Sequence, residues 1–242
     1  MMRDSKLPES WIREQMIKNP PSLRPNGNIF SGPVRLCFPN LFKAQVPKDG
    51  GEAKFGADLL FPIGTDMGLF ARIWIEQARA AFPERWQGNQ PIGLHSPFHD
   101  QVEKTVGPKP YQGYTPGAIH FTTSSKFKPI VVDSNMDPIT DEARVYPGVW
   151  AFVALNYYSY KNKKIGIGFG LQTVMLIAGD TRLGGGGGDP AKDFAGVTIT
   201  AQSDVAAKFD AAGVMPAGGH VGTTGRLPTQ ALPAAELTIA DL

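Results

Sequence analysis

The sequence predicts a mainly β protein with one substantial helix. Its 242 residues include 28 glycines and 21 prolines, a content that indicates many turns between short strands. Several segments alternate apolar and polar residues with the two-residue period of a strand, whereas the stretch after Asp66 follows the longer period of a helix. A chain of this length can bury a sizeable core.

The first 28 residues are polar and punctuated by prolines, so we expect an arm over residues 1–28 with a short helix at Glu9–Ile17. The main helix is predicted to start after Asp66, whose carboxylate suits an N-cap, and to end before Pro83. Its apolar side, which we expect to pack against the rest of the domain, consists of Leu69, Phe70, Ile73, Trp74 and Ala80.

The main domain is predicted to span residues 29–178. In its first strand, apolar residues alternate with Arg35 and Cys37. The apolar residues of this strand are Val34, Leu36 and Phe38. A second strand over Phe55–Phe61 follows a turn at Pro47–Gly51, and the pair predicts a hairpin.

Residues 83–117 are rich in proline and show little periodicity, so we expect a long insertion loop. Basic and aromatic residues alternate within this loop, at Lys104, Lys109, Tyr111 and Tyr114. Two short strands are predicted after it, over Ile119–Thr123 and Ile130–Val132. The segment between these strands carries a second basic and aromatic group, Lys126, Phe127 and Lys128.

Residues 149–164 form a predicted strand followed by a lysine turn. Successive side chains of a strand point to opposite faces, and one face here is aliphatic and suits a core, with Val149, Ala151, Val153 and Leu155. The other face and its edge hold Trp150, Phe152, Asn156, Tyr158, Tyr160, Lys161, Lys163 and Lys164. Rings that stack on bases and lysines that attract phosphates are typical of single-stranded nucleic-acid binding. The alternative is a strand buried on both sides, with a solvated lysine turn.

The next predicted strand places Ile165, Ile167, Phe169 and Leu171 on one face and Gly166, Gly168 and Gly170 on the other. A row of glycines marks a sharp bend, an overlying aromatic ring, or the close approach of another backbone or a ligand, and all three options stay open. A dinucleotide-binding loop is excluded, because it needs a helix after the glycines and Val174–Ile177 continues as a strand.

Residues 179–242 are predicted to be a linker and a tail. Five consecutive glycines at 184–188 indicate a flexible linker, and the composition of residues 189–242 indicates a disordered tail. Residues 1–170 carry 20 Lys and Arg against 15 Asp and Glu, whereas residues 171–242 carry 4 against 7. A basic body with an acidic tail is expected where the body meets a polyanion and the tail does not.

Metal and catalytic chemistry have little support in the sequence. His95 and His99 have the spacing of helical zinc ligands, but Pro97 between them breaks a helix. A calcium loop starting at Asp133 lacks the required glycine and the final glutamate. We therefore predict no metal, no cofactor and no catalytic residue. The single cysteine, Cys37, and the lack of a long apolar segment or signal peptide indicate a soluble intracellular protein without a membrane partner.

Five segments occur in a distinctive order along the chain. They are Ser31–Phe42, Phe55–Pro62, Ser124–Asp133, Val145–Gly148 with the aromatic strand after it, and Gly166–Leu171. In this order, over residues 29–178, they resemble a family of phage-encoded single-stranded-DNA-binding proteins that was long catalogued as a domain of unknown function. The resemblance implies an OB fold, a five-stranded partly open barrel that acts in phage DNA replication or recombination. It also implies the cytoplasm of the host cell as location, and replication proteins as partners of the tail.

Carried over by position, the resemblance points to the Tyr146–Tyr160 strand and the Lys126–Lys128 group as the binding surface. The full set of predicted DNA-binding residues is Arg35, Lys109, Tyr111, Tyr114, Lys126, Phe127, Lys128, Trp150, Phe152, Tyr158, Tyr160, Lys161, Lys163 and Lys164. Two alternatives stay open. One is a structural virion or scaffold protein that uses the aromatic face as a subunit interface. The other is a nuclease that holds magnesium on Asp133, Asp137 and Asp141.

Overall fold

The computed structural model describes residues 7–47, 50–106 and 110–184, which lie within the first of two units of the chain, residues 1–186. The predicted arm is therefore described from Leu7 onward. Lys109, the linker glycines from residue 185 onward and the predicted tail over residues 189–242 lie outside the described residues.

Two α-helices and ten strands make up the described part of the chain. The helices are α1 (Glu9–Lys18) and α2 (Gly68–Ala81). The strands are β1 (Ser22–Leu23), β2 (Ile29–Gln45), β3 (Lys54–Leu60), β4 (Trp86–Gln87), β5 (Gln90–Pro91), β6 (His99–Asp100), β7 (Ile119–Ser125), β8 (Ile130–Val132), β9 (Trp150–Lys161) and β10 (Ile165–Ala178). Short 3-10 turns lie at Pro83–Arg85, Gln101–Lys104 and Glu142–Arg144.

The five long strands form one antiparallel sheet in the order β7-β3-β2-β9-β10. β6 extends the sheet beside β7, and β8 pairs in parallel with β10. The sheet curls until β7 and β10 approach each other, and the ring centroids of Phe121 and Phe169 are 5.0 Å apart. No ladder joins these two strands among the described residues, so the barrel is partly open. The prediction of a mainly β, OB-like domain is confirmed.

The core lies inside the curled sheet and is covered by α2. Phe70 of α2 packs edge-on against Phe61, at 5.4 Å between ring centroids, and against Phe169, at 5.7 Å. The aliphatic face predicted for residues 149–155 is buried in this core, with Val149, Ala151, Val153 and Leu155. Removal of this apolar surface from water is the main force that holds the barrel together.

Both predicted helices are present. The Gly68 N–H at the start of α2 donates a hydrogen bond of 2.8 Å to Asp66 Oδ1. The N-cap is Met67, one residue after the predicted Asp66, and its side chain makes no capping hydrogen bond. Ala78, four residues after Trp74, takes the place on the buried face that the sequence assigned to Ala80, which is exposed. The arm is attached to the domain, because β1 pairs with β2.

The fold extends past the domain boundary predicted at residue 178. Asp180 is buried and accepts hydrogen bonds from Trp150 Nε1 (2.8 Å) and from the Thr181 N–H (2.6 Å). Its carboxylate also lies 3.5 Å from the Arg35 guanidinium. Leu183 is buried in a small cluster with Cys37, Leu60 and Tyr114. Residues 179–183 therefore belong to the fold and are not the start of a linker.

Replacement of Asp180 by alanine is expected to lower the free energy of unfolding by about 2–4 kcal/mol, because the Trp150 indole N–H loses its acceptor and the Arg35 guanidinium loses its carboxylate. Urea unfolding measures the effect. Asp137→Ala, at an exposed position, is the matched control and should change stability by less than about 0.5 kcal/mol. Equal stability of the two variants would contradict a structural role for Asp180.

Candidate nucleic-acid interface

Two tyrosines of β9 lie over glycines of β10. In the antiparallel register of the two strands, Tyr158 is opposite Gly168 and Tyr160 is opposite Gly166. A Cβ atom added to Gly168 would lie 2.9 Å from Cζ of Tyr158, and one added to Gly166 would lie 2.9 Å from the Tyr160 hydroxyl. At these two positions the glycines therefore make room for overlying aromatic rings. At Gly166 another backbone also approaches closely, because an added Cβ would lie 2.7 Å from the His95 carbonyl oxygen. Two of the three options that the sequence left open thus apply.

The two rings are held in place by their neighbours. The Tyr158 hydroxyl and Ser124 Oγ share a hydrogen bond of 2.8 Å, and the ring centroids of Tyr158 and Tyr160 are 6.3 Å apart. Tyr158 rests on strand backbone on one side and is still 37% exposed. An outward aromatic surface held in a fixed orientation suits the stacking of another planar group.

A groove of about 870 Å³ lies beside these tyrosines. Its walls come from the connection between β2 and β3, from the β9–β10 turn, and from Lys126 after β7. We name it the tyrosine-lysine groove and define it by Lys54, Lys126, Tyr158, Tyr160, Lys161, Lys163 and Lys164. Five lysines make the groove strongly cationic, so it attracts a polyanion.

A smaller recess of about 230 Å³ adjoins the groove and shares Lys54, Lys126 and Tyr158 with it. Phe127 also lines this recess and is 81% exposed. A ring this exposed contributes little to the core, and it lies beside two lysines. The recess therefore repeats the combination of aromatic and cationic groups that characterises the main groove.

Glu52 brings a negative charge to the tyrosine-lysine groove. Its carboxylate lies 2.6 Å from Lys126 Nζ, and this contact holds the pKa of Glu52 below its ordinary value. Both side chains are exposed to solvent, so the ion pair contributes little to stability. A phosphate group can therefore compete with Glu52 for Lys126.

His95, from the insertion loop, supports the groove where β9 turns into β10. Lys164 Nζ donates a hydrogen bond of 3.0 Å to His95 Nε2, which leaves the imidazole proton on Nδ1, 3.1 Å from the Tyr160 hydroxyl. Burial, followed by the charges of Lys164 and His99, holds the pKa of His95 below its ordinary value. Burial also raises the pKa of Tyr160. A neutral imidazole thus links the tyrosine and the lysine.

The structure brings half of the predicted binding residues to this surface. Those that line the groove or its recess are Lys126, Phe127, Tyr158, Tyr160, Lys161, Lys163 and Lys164. Lys128 instead places its Nζ 5.3 Å from the centroid of the Phe42 ring. The sequence separates residues 126–128 from residues 158–164, and the curled sheet brings the two groups together.

Three other predicted residues are not available as a binding surface, and the structure contradicts their assignment. Trp150 is buried and donates its indole N–H to Asp180. Tyr114 is buried, its hydroxyl donates a hydrogen bond of 2.9 Å to Asp58, and burial raises its pKa. Arg35 donates to two backbone carbonyl groups and pairs with Asp180, so its charge is used within the fold.

The remaining predicted residues lie apart from the groove. Phe152 is half-buried and packs against Phe30, with the ring centroids 5.1 Å apart. Tyr111 is half-exposed and does not line the groove, and Lys109 lies outside the described residues. The single-stranded nucleic-acid function of all these side chains stays a prediction.

Sequence reasoning missed two residues that line the groove, Lys54 and Glu52, and His95, which contacts two of its residues. Lys54 comes directly before the predicted strand Phe55–Phe61, and this position was the local signal that could have identified it. Glu52 and His95 gave no comparable signal. His95 is 65 residues away from Tyr160 along the chain, so no local pattern connects the two.

Two of the three acidic residues considered for metal binding, Asp133 and Asp141, cap backbone turns. Asp133 Oδ1 accepts hydrogen bonds from the N–H groups of Asn135 (2.9 Å) and Asp137 (3.2 Å), and Asp141 accepts one from Ala143 (2.9 Å). Among the described residues, no group of three or more His, Cys, Asp and Glu side chains is placed to hold a metal ion. The helices of the described segments include none that is long and apolar enough to cross a membrane.

The fold and the groove together place the protein in the class of OB-fold domains. In OB-fold domains, the loops of the first and last hairpins bind oligonucleotides or oligosaccharides, and the tyrosine-lysine groove lies between the corresponding hairpins here. Residues 27–206 match the family described as Enterobacter phage Enc34, ssDNA-binding protein. The match covers most of the chain, and the chain belongs to this family.

The chain is also similar to individual proteins. The chain is 26% identical over 185 residues to protein p50 of Acyrthosiphon pisum secondary endosymbiont phage 1, which covers 72% of this chain and 96% of that protein. It is similar to the structure of the single-stranded DNA-binding protein from bacteriophage Enc34 in complex with ssDNA, with a TM-score of 0.53, 22% identity, and coverage of 69% of this chain and 99% of that chain. A C-terminal truncation of the Enc34 protein gives a TM-score of 0.50 at 20% identity, covering 68% and 97%. These structural similarities establish the fold.

Removal of the Lys164 charge is expected to raise the pKa of His95. In Lys164→Ala, the repulsion that disfavours the imidazolium ion is gone, so His95 takes up its proton at higher pH than in the wild type. An NMR titration of the imidazole signals measures this shift. Lys128→Ala is the control, because the Lys128 charge is not among those that act on His95. A His95 pKa that is equal or lower in Lys164→Ala would refute the contact.

Proposed function

We propose that this protein binds single-stranded DNA without sequence preference and acts in phage DNA replication or recombination in the cytoplasm of the host cell. The observation that carries the proposal is the tyrosine-lysine groove, in which two rings rest on a glycine strand beside five lysines. Membership of the Enc34 family supports the same function, and the related Enc34 protein was solved in complex with ssDNA.

The tyrosines and the lysines of the groove act on different parts of the DNA strand. Every base has a π-face that stacks on Tyr158 or Tyr160, and this explains binding without sequence preference. The lysines attract phosphates, and release of the counterions around those phosphates makes the affinity depend on salt. Bases in a duplex are already stacked and paired, so the tyrosine rings favour single strands.

A virion or scaffold protein is the rival candidate, with the aromatic face as a subunit interface. The lysines of the groove argue against it, because lysine is depleted at the centres of protein interfaces. In our proposal the protein acts by binding and not by catalysis. Replication proteins are its proposed partners through the tail, which lies outside the described residues.

Fluorescence anisotropy with matched oligonucleotides is expected to show tighter binding of the single strand than of the duplex. Tyr158→Ala should weaken single-strand binding by about 1–3 kcal/mol, the contribution of one base stacked on a ring. Tyr158→Phe keeps the ring and should retain most of the affinity. Equal affinity for single and double strands would overturn the proposed function.

Ile75→Ala is the matched control for this experiment. Ile75 is an exposed apolar residue of α2 that lies outside the groove, so its removal should leave DNA binding unchanged. Thermal unfolding of each variant separates loss of binding from loss of structure. If Tyr158→Ala binds single strands as tightly as Ile75→Ala does, the DNA does not use this groove.

Neutralisation of the lysine turn is expected to reduce the salt dependence of binding. Each lysine that contacts a phosphate contributes about 0.7 to the slope of log K against log salt, so the triple variant K161Q/K163Q/K164Q should lose up to about 2 in slope. Preference among single-stranded sequences should not change. Lys18→Gln, on α1, is the control for a lysine outside the groove. An unchanged slope in the triple variant would place the DNA elsewhere.

A further inference from the structure

The tyrosine-lysine groove continues along the outer face of the sheet. A third recess, of about 300 Å³, is lined by residues of β2, β3 and β7 and reaches Phe38. Lys54 lines this recess as well as the groove and the recess beside Phe127, so the three depressions adjoin at Lys54. Lys54 and Asp58 are four residues apart on β3, which corresponds to about 13 Å along the strand.

Phe38 has a backbone conformation that bulky residues rarely adopt. Its φ is +48°, at the register shift of β2 against β3 between Cys37 and Asn40. This conformation costs free energy, yet the Phe38 side chain is 51% exposed and contributes little to the core. Packing in the core therefore does not account for a phenylalanine here, and strain of this kind concentrates at functional sites.

Tyr111 supplies a second exposed ring beside Phe38. The two rings meet edge to face, with centroids 5.7 Å apart, and Tyr111 is also 51% exposed. Lys104 Nζ lies 5.9 Å from the Tyr111 ring centroid, so a cation accompanies the pair. The ring centroid of the buried Tyr114 lies 6.0 Å from that of Tyr111. Tyr114 is itself fixed by the hydrogen bond that its hydroxyl donates to Asp58, so it supports the Tyr111 ring.

The negative charge in the third recess comes from Asp58, whose carboxylate is hydrogen-bonded. Among the described residues of that recess, Asp58 carries the carboxylate, and it accepts hydrogen bonds from the Tyr114 and Thr122 hydroxyls. Asp58 is also buried. Its charge is therefore partly compensated, and the floor of the recess does not oppose a nucleic-acid strand as an exposed carboxylate would.

The geometry points to a second base-stacking subsite, formed by Phe38 and Tyr111 with Lys104 at an adjacent phosphate. The inference rests on the proposed function and extends it. A single strand would run from Tyr160 past Lys54 to Tyr111. Because Tyr111 and Lys104 both belong to the insertion loop, the loop lengthens the binding site.

The test compares oligonucleotides of about 4 to about 16 nucleotides, the range of site sizes of OB domains. The wild type should gain affinity with length as the strand reaches the second subsite. Phe38→Ala and Tyr111→Ala should bind the shortest strand as the wild type does and the longest strand roughly tenfold more weakly. Phe38→Gly should show the same loss of binding without loss of thermal stability, because glycine tolerates the positive φ. Ile75→Ala is again the control and should follow the wild type at every length.

The outcomes separate this inference from the proposed function. If the variants gain affinity with length as the wild type does, the second subsite does not exist, although single-strand binding stands. A loss of equal size on the shortest and longest strands also overturns the inference, because the variants would then disturb the first groove. If the wild type binds no single strand at any length, the proposed function itself fails.

Discussion

The bare face of β10 is the constraint on which the rest of the structure depends. Because Gly166 and Gly168 carry no Cβ, Tyr160 and Tyr158 of the paired strand lie against the backbone of β10. Glycine weakens a strand, and the rings that cover it restore apolar contact across the pair. The same rings form one side of the tyrosine-lysine groove. The weakness that the glycines introduce is thus offset by the groups that we assign to binding.

The opposite face of β10 connects this site to the core. Ile167, Phe169 and Leu171 alternate with the glycines and are buried, and Phe169 packs against Phe70 of α2. A shift of β10 would therefore disturb the core and the groove together. His95 adds a restraint from outside the barrel, because it contacts Tyr160 and Lys164. The binding surface is held from both faces of one strand, which favours a rigid site.

Local patterns predicted the features whose residues are close in sequence. Alternation over residues 149–160 and 165–171 located both strands and their buried faces. The aromatic face was predicted less well, because parity gives the direction of a side chain and not what covers it. Trp150 has the parity of Tyr158, but it lies where Asp180 covers it and accepts its N–H. Alternation places Phe38 with Val34 and Leu36, but Phe38 lies at a register shift with positive φ and is exposed, whereas Val34 and Leu36 are buried.

The sequence by itself determined the mainly β class, the two strands of the central hairpin, the start of α2 to within one residue, and the lysine turn, because these depend on local periodicity and turn chemistry. Tertiary structure decided which basic and aromatic residues share one groove. Lys54, Lys126 and Tyr158 come from three different strand ends and meet only when the sheet curls. It also decided that Tyr114 and Arg35 serve the fold, since hydrogen bonds to distant partners such as Asp58 and Thr181 cannot be inferred from neighbours in sequence.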